Sequence, residues 1–342
     1  MSAGEEDRTK KDSVGTPNVK RRKIESHTWL PPSVSSIADP LKFQSSTYLS
    51  DIPEAIISNP NEDIVLGVDE AGRGPVLGPM VYGIAYALEK YLNSLKREYG
   101  FADSKTLKED KRLELFQIML SKDDTLARNV GWATRTMTAR DILSGMLQST
   151  LGKGSYNLND QAHDTTIQLI KDILNKGVRV TKLYVDTVGP PTSYQAKLKR
   201  EFPGIEVTVA KKADSIYPIV STASIVAKVT RDLNLGYFNV NLSTLVGANI
   251  GSGYPSDPNT SSWLNGNVDK VFGWNFGIIR FLWQTAKDSL QRNGAANVVY
   301  EEQCVKQESS YGNVSDFFNN SSSEQGEGRI DIRHYGSQDV VL

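Results

Sequence analysis

Ile64-Val-Leu-Gly-Val-Asp-Glu-Ala-Gly-Arg-Gly-Pro-Val-Leu-Gly-Pro-Met80 begins as an apolar run and then presents two adjacent carboxylates, Asp69 and Glu70. The turn Gly72-Arg73-Gly74 follows them. An apolar run of this length, bounded by turn residues, predicts a buried strand. We therefore expect the strand to carry both carboxylates to the edge of a hydrophobic core.

The alternation along this strand places the first carboxylate beside the core. Successive side chains of a strand point to opposite faces, so Ile64, Leu66 and Val68 share one face and Asp69 lies on the other. Burying an unpaired charge is costly, and carboxylates that converge commonly share a hard cation such as Mg²⁺. The alternative is that Asp69 and Glu70 merely form a solvated strand end.

Two later strands are predicted at residues 178–186 and 205–210. The first strand ends at Asp186. The second is followed by Lys211-Lys212-Ala213-Asp214. Strands that alternate with helical segments favour an α/β domain with some parallel pairing. The carboxyl ends of strands in such sheets collect at one crevice. We expect the following four acids to lie there: Asp69, Glu70, Asp186 and Asp214.

Other kinds of catalytic site find little support in the sequence. Gly72, Gly74 and Gly78 do not fit the dinucleotide fingerprint, and no Gly-Lys-Ser/Thr phosphate loop is present. The three histidines are His27, His163 and His334, which do not suggest a zinc site. Because no second histidine or nucleophile accompanies His163, we interpret it as a structural residue of a helix at 157–175. Carboxylates without such partners favour hard-metal chemistry.

Five blocks in order resemble the type 2 ribonuclease H family, and their detail is most similar to its eukaryotic catalytic subunits. The similarity covers roughly residues 61–290, and its blocks are Asp69-Glu70-Ala71-Gly72-Arg73-Gly74, Asp103-Ser104-Lys105, Tyr184-Val185-Asp186-Thr187-Val188-Gly189-Pro190, Lys211-Lys212-Ala213-Asp214 and Gly253-Tyr254-Pro255. The resemblance implies a ribonuclease H-like mixed sheet flanked by helices, with a smaller helical C-terminal extension.

The resemblance implies a metal site and a ribose-reading site. Asp69, Glu70, Asp186 and Asp214 are expected to bind two Mg²⁺ ions, with Mn²⁺ as an alternative. The ribose 2′-hydroxyl is expected to be read by Gly72, Arg73, Gly74 and Tyr254. Glycines suit this role because backbone groups approach the sugar without a Cβ in the way. The alternative for Tyr254 is a loop aromatic that plugs the core.

Duplex phosphates are expected to contact six polar residues, which position the substrate without reading its sequence. Ser104 and Lys105 precede a predicted helix, and Lys211 and Lys212 follow a predicted strand. Ser224 and Lys228 lie along one stripe of a helix predicted at 217–233. The alternatives are helix capping and an ordinary polar surface. The six residues are Ser104, Lys105, Lys211, Lys212, Ser224 and Lys228.

Composition limits the cellular setting. The 39 Lys and Arg residues nearly balance the 40 Asp and Glu residues, so any basic surface must be local. Cys304 is the single cysteine, which excludes an internal disulfide and fits a reducing compartment. No apolar run is long enough to span a bilayer, so no membrane partner is expected. Lys10-Lys11 and Lys20-Arg21-Arg22-Lys23 resemble a bipartite nuclear import signal or form a solvated charge run.

We predict four regions from these patterns. Residues 1–50 form a disordered basic tail, 51–235 the catalytic core, 236–300 a helical extension, and 301–342 a second disordered tail. Within the extension, residues 240–265 predict a long loop and 276–290 a helix. In the second tail, residues 311–318 resemble a sliding-clamp-binding peptide, although Tyr311 stands where that motif usually has Gln. The alternatives are an incidental Phe317-Phe318 pair and an apolar anchor for a partner subunit.

The expected function is endonucleolytic cleavage on the 5′ side of ribonucleotides embedded in duplex DNA, and of the RNA strand in RNA–DNA hybrids. The expected setting is ribonucleotide removal during DNA replication and repair, in the nucleus. The resemblance also implies two accessory subunits in a heterotrimer. One rival is a nuclease that requires a run of ribonucleotides. Another is a non-catalytic nucleic-acid-binding scaffold that retains the fold.

Overall fold

A six-stranded mixed sheet forms the centre of the computed structural model. The structure describes residues 30–34, 43–101, 107–122, 124–150, 154–187, 189–246 and 249–296. No helix among these residues is long and apolar enough to cross a membrane. The strands are β1 Ser46–Leu49, β2 Ile64–Ala71, β3 Met80–Leu88, β4 Val130–Met137, β5 Ser149–Thr150, β6 Gly154–Ser155, β7 Val180–Asp186 and β8 Glu206–Ala210.

Helices cover both faces of this sheet and continue beyond it. They are α1 Glu54–Ser58, α2 Leu92–Arg97, α3 Glu109–Leu120, α4 Thr125–Asn129, α5 Ala139–Leu147, α6 Leu158–Asn175, α7 Pro191–Glu201, α8 Ala213–Ile216, α9 Pro218–Val246, α10 Pro258–Gly266 and α11 Gln284–Arg292.

The order of strands brings three carboxyl ends to one edge. The sheet runs β1-β4-β3-β2-β7-β8, and β5 pairs with β6 separately. β2, β7 and β8 are parallel to one another, whereas the remaining pairs of the large sheet are antiparallel. Val68 pairs with Val185, and Asp186 pairs with Ala210. The predicted mixed α/β sheet flanked by helices is thus confirmed.

The predicted alternation along β2 is also confirmed. Ile64, Leu66 and Val68 pack into a core with residues of α6 and α7. Val65 packs on the opposite face, against residues that include Ile219 of α9. Each face of β2 is therefore buried by a different helix layer, and Asp69 is carried into the α9 side.

Two glycines let α9 lie directly on the sheet. A Cβ built on Gly67 would lie 2.6 Å from the Ile219 carbonyl carbon, and one on Gly83 would lie 2.5 Å from the Ala223 carbonyl oxygen. Gly83 pairs in register with Asp69, so this strand glycine serves close helix packing rather than a bulge. The same contact brings the middle of α9 next to the carboxylates.

The N-terminal boundary differs from the prediction of a tail through residue 50. Ser46–Leu49 pairs with β4 as an edge strand. Upstream of it, the Ser33 hydroxyl lies 2.9 Å from that of Thr230 on α9, and the Phe43 ring packs edge-on against Phe238. Such long-range contacts give no periodic pattern in a short polar stretch, so they escape sequence analysis.

The C-terminal part is helical, as predicted, but its boundaries differ. α9 extends beyond 233, and α10 occupies part of the predicted loop. In the region predicted as one helix from 276 to 290, the helix begins only at Gln284. Arg280 instead donates its backbone N–H to the Val76 carbonyl at 2.9 Å. Pairing with the loop after β2 therefore replaces the first turns of that helix.

Candidate active site

A cavity of about 340 Å³ opens where β2 and β7 end. It is bordered by carboxylates, by the turn after β2, and by residues of α3, α9 and the loop before α10. The lining residues are Asp69, Glu70, Ala71, Gly72, Arg73, Gly74, Arg112, Asp186, Ser224, Lys228 and Tyr254. Nine of the predicted site residues thus share one space.

Asp69 is the most deeply placed of the carboxylates in this cavity. It is 5% exposed. Burial raises its pKa well above the usual range, and the charges of Glu70 and Asp186 raise it further. Hydrogen bonds with the Ser224 hydroxyl and the Glu70 N–H act in the opposite direction. The ionised form of Asp69 is therefore costly unless a cation enters the cavity.

Glu70 and Asp186 form the wall between this cavity and a second one. The second cavity extends toward α6 and α7 and is lined by both of these carboxylates. Asp186 Oδ1 accepts a hydrogen bond of 2.7 Å from the N–H of Ala213. This bond fixes the carboxylate against the first residue of α8.

Asp214 and the two preceding lysines lie just beyond β8. Asp214 is fully buried in α8, and it is not among the residues lining either cavity. Lys211 and Lys212 are exposed, and Lys212 adopts φ +57°. The structure therefore brings three predicted acids into one cavity and places the fourth behind it, one residue from the Ala213 N–H that binds Asp186.

The turn after β2 faces Tyr254. Gly72 has φ +84°, a conformation that favours glycine, and a Cβ added to Gly74 would lie 3.9 Å from the Tyr254 ring. The Arg73 side chain turns to the second cavity and donates to the Asn159 side chain of α6. The backbone of the turn and the ring thus border the first cavity together.

The predicted phosphate contacts divide into three groups. Ser224 and Lys228 of α9 line the first cavity, where Lys228 forms an ion pair of 3.0 Å with Asp232. Lys211 and Lys212 lie at the surface after β8. Ser104 and Lys105 lie outside the described residues.

Three arginines of the site were not identified from the sequence. Arg112 of α3 lines the first cavity. Arg231 is buried under Tyr254. Arg280 is also fully buried and donates to the carbonyls of Gly78 and Arg73, at 2.9 and 3.1 Å. Arginine in a helical or loop segment normally predicts a solvated surface, so the sequence carries no signal for these contacts.

His163 lies in the second cavity, where its ring stacks on Tyr194 at a centroid distance of 3.9 Å. Burial lowers its pKa, and the charge of Lys197 lowers it further. The structural role predicted for His163 agrees with this packing.

The donor set of the first cavity suits a hard divalent cation. In the described part of the chain, no three His, Cys, Asp or Glu side chains form a ready-made metal cluster. Carboxylates that repel one another do not close up without a counter-charge. The pKa of Asp69 is raised first by burial and then by the charges of Glu70 and Asp186. Three oxygen-donor side chains around one cavity match the preference of Mg²⁺ and Mn²⁺.

A carboxylate-lined cavity at the carboxyl edge of a mixed sheet is typical of an α/β enzyme that binds a divalent cation. Residues 66–286 match the family model described as Ribonuclease HII. A ribonuclease H2 subunit of Schizosaccharomyces pombe is 52% identical over 266 residues, which are 78% of this chain and 77% of the relative. Its human counterpart is 46% identical over 267 residues, covering 77% of this chain and 84% of the relative.

Solved structures agree with this assignment. The crystal structure of ribonuclease H2 from Pyrococcus horikoshii gives a TM-score of 0.53 at 33% identity and covers 67% of this chain and 98% of that one. RNase HII of Archaeoglobus fulgidus, solved in complex with PCNA, gives 0.50 at 25% identity, with coverages of 65% and 95%. The chain belongs to the type 2 ribonuclease H family and is a ribonuclease H endonuclease.

Proposed function

We propose that this enzyme cleaves the phosphodiester on the 5′ side of ribonucleotides embedded in duplex DNA, and also the RNA strand of RNA–DNA hybrids. The observation that carries the proposal is the shared cavity. Asp69, Glu70 and Asp186 line it together with the Gly72–Gly74 turn and Tyr254. Because the proposed metal ligands and the proposed ribose-reading residues line the same cavity, the phosphodiester that is cleaved can lie next to a recognised 2′-hydroxyl.

The proposed metal ligands are Asp69, Glu70 and Asp186, with Asp214 close behind them. When two Mg²⁺ ions are bound, or Mn²⁺ in their place, they supply an activated water and stabilise the leaving oxygen. The protein's own groups orient the ligands. The Glu70 N–H holds Asp69 at 2.7 Å, and the Ala213 N–H holds Asp186 at the same distance. Lys228 and Arg112 offer positive charge to the substrate phosphates.

Selection of the ribonucleotide is assigned to the turn and the ring. The 2′-hydroxyl both donates and accepts hydrogen bonds, so backbone N–H and C=O groups can recognise it. Gly74 leaves that backbone accessible on the side of the Tyr254 ring, and Gly72, at φ +84°, shapes the turn. The Arg73 side chain donates a hydrogen bond to Asn159. We therefore assign the contribution of Arg73 to 2′-hydroxyl recognition to its backbone groups.

The experiment uses duplex DNA with one ribonucleotide, the matching all-DNA duplex and a long RNA–DNA hybrid, each in Mg²⁺. We expect the wild-type protein to cut the first 5′ of the ribonucleotide and to leave the second intact. Tyr254→Ala should lower kcat on the single-ribonucleotide duplex by about tenfold, since base or sugar stacking contributes about 1–3 kcal/mol. Cleavage of the hybrid alone would favour a nuclease that needs a run of ribonucleotides. Binding without any cleavage, with partners present, would favour the scaffold.

The partners and the location are further proposals. The two relatives are named as subunits of ribonuclease H2, which supports a multi-subunit complex, and we propose a heterotrimer with two accessory subunits. The PCNA complex of the archaeal relative supports a sliding-clamp contact. The proposed clamp peptide, Tyr311 to Phe318, and the proposed import signal, Lys10 to Lys23, lie outside the described residues. Nuclear accumulation should fall when Lys20-Arg21-Arg22-Lys23 is replaced by alanines. Clamp binding should fall in the double variant Phe317→Ala, Phe318→Ala. Unchanged nuclear accumulation would contradict the proposed import signal, and unchanged clamp binding would contradict the proposed clamp peptide.

A further inference from the structure

Arg231 of α9 is a buried arginine that lies against the ribose-reading site. The residue is 1% exposed. Its Nη2 donates to the Ser252 carbonyl at 2.7 Å, and its Nη1 donates to Asp232 at 2.9 Å. Burying a charge is costly unless hydrogen bonds and an ion pair compensate. These two bonds offset part of that cost and hold the guanidinium in one orientation.

The side chain packs against both backbone turns that border the cavity. A Cβ built on Gly72 would lie 3.2 Å from Arg231 Cγ and 3.4 Å from its Nε. One built on Gly253 would lie 2.9 Å from Arg231 Nη2. Both glycines have positive φ, +84° and +81°. Arg231 thus fills the space between the turn that follows β2 and the turn that carries Tyr254.

The guanidinium also lies over the Tyr254 ring, with Cζ 5.2 Å from the ring centroid. Asp232, which Arg231 binds, pairs in turn with Lys228, whose Nζ lies 5.9 Å from the same centroid. A planar fork can satisfy a carbonyl, a carboxylate and an aromatic face at once, whereas an ammonium cannot. The orientation of Tyr254 is therefore linked to the shape of this one side chain.

We propose that Arg231 is a positioning residue that sets the spacing between the Gly72–Gly74 turn and the Tyr254 ring. Through that spacing it determines how well the enzyme distinguishes a ribonucleotide from a deoxyribonucleotide. It acts through the two turns and does not touch the substrate. The inference rests on the proposed ribose-reading role of these turns and names the residue that holds them together.

A double-mutant cycle on kcat tests this role. The variants are Arg231→Lys, Tyr254→Ala and the two combined, assayed on duplex DNA with one ribonucleotide. Arg231→Lys keeps the charge and removes the fork, so we expect kcat to fall by about tenfold, the lower end of what the loss of one charge-assisted hydrogen bond costs. KM should change little, because phosphate contacts determine duplex binding. The combined variant should be no slower than Tyr254→Ala.

Arg179→Lys is the matched control. Arg179 is exposed and donates to the Asn61 carbonyl, at the opposite end of β7 from Asp186. Circular dichroism and thermal unfolding verify the fold of each variant. If Arg231→Lys does not fold, Arg231→Gln takes its place in the cycle, because its amide can still donate to the Ser252 carbonyl.

The outcomes separate the positioning role from the proposed function. If Tyr254→Ala is impaired and the Arg231 variant has wild-type kcat, the positioning role is overturned and ribose reading stands. If the two effects multiply in the combined variant, Arg231 acts independently of Tyr254 and the inference is again overturned. If Tyr254→Ala cuts like wild type, the ribose-reading role fails and the inference fails with it. A non-additive loss confined to kcat supports it.

Discussion

Replacing Asp69 with asparagine should reduce cleavage of a ribonucleotide-containing duplex by at least about a hundredfold, because removing charge stabilisation at a reacting phosphate has effects of this size. Duplex binding should persist, since Lys228 and the other phosphate contacts are unchanged. Cleavage is measured in Mg²⁺, and binding is measured by fluorescence anisotropy without metal. The matched control is Asp288→Asn, because Asp288 is an exposed aspartate of α11. This variant should keep full activity.

The metal-free stability of the same variant gives a second, independent signal. The folded-state pKa of Asp69 is raised, chiefly by burial, so the folded protein binds this proton more tightly than the unfolded chain does. The resulting stabilisation is present at low pH and is lost as the pH rises through the folded-state pKa. The asparagine of the variant carries no such charge, so at neutral pH the variant should be at least as stable as the wild type.

A stability loss together with the activity loss would contradict this account. It would mean that Asp69 supports the fold rather than the chemistry. Addition of Mg²⁺ should raise the unfolding temperature of the wild type and should do so less in the variant, because a ligand that binds only the folded state stabilises it. An equal shift in both proteins would show that the cation binds elsewhere.

The sequence was sufficient for the strands that deliver the acids. β2 is a continuous apolar run that stops at Asp69 and Glu70, which predicts a buried strand without any knowledge of the remaining chain. β7 includes Thr181 and Lys182, but its β-branched and aromatic residues still predict a strand that ends at Asp186. Asp69, Glu70 and Asp186 therefore could be placed at one edge in advance. The resemblance then added Gly72, Gly74 and Tyr254, which periodicity alone would have left as turn and loop residues.

The parts that the sequence did not predict depend on contacts between distant segments. Arg231 and Arg280 look like surface residues until the loops they hold are in place. Residues 276–283 have a helical apolar pattern, yet Ile279 forms a bridge with Leu77. In each case a hydrogen bond to the backbone of a distant loop overrides the local preference, which is solvent exposure for the arginines and helix for residues 276–283. A single sequence contains no local signal for that competition.

Gly83 provides the prediction with the largest expected effect on folding. It lies in the middle of β3, where a residue of high strand propensity would normally strengthen the sheet. Here a Cβ would come within 2.5 Å of the Ala223 carbonyl oxygen and 2.9 Å of the Ala227 Cβ. Since both neighbours belong to the rigid helix α9, neither can move aside cheaply. We expect Gly83→Val to lower the free energy of unfolding by about 3 kcal/mol or more, measured by urea denaturation.

The same substitution should also impair catalysis in the molecules that remain folded. Ser224 and Lys228 occupy the stretch of α9 that rests on Gly83, and both line the cavity with Asp69. Displacing α9 outward would withdraw the Ser224 hydroxyl from Asp69, so kcat should fall even below the unfolding temperature. Gly266→Ala is the control, because a Cβ there meets open space. Full stability of Gly83→Val would mean that α9 does not pack directly on the sheet, and the placement of Ser224 and Lys228 beside Asp69 would then need another cause.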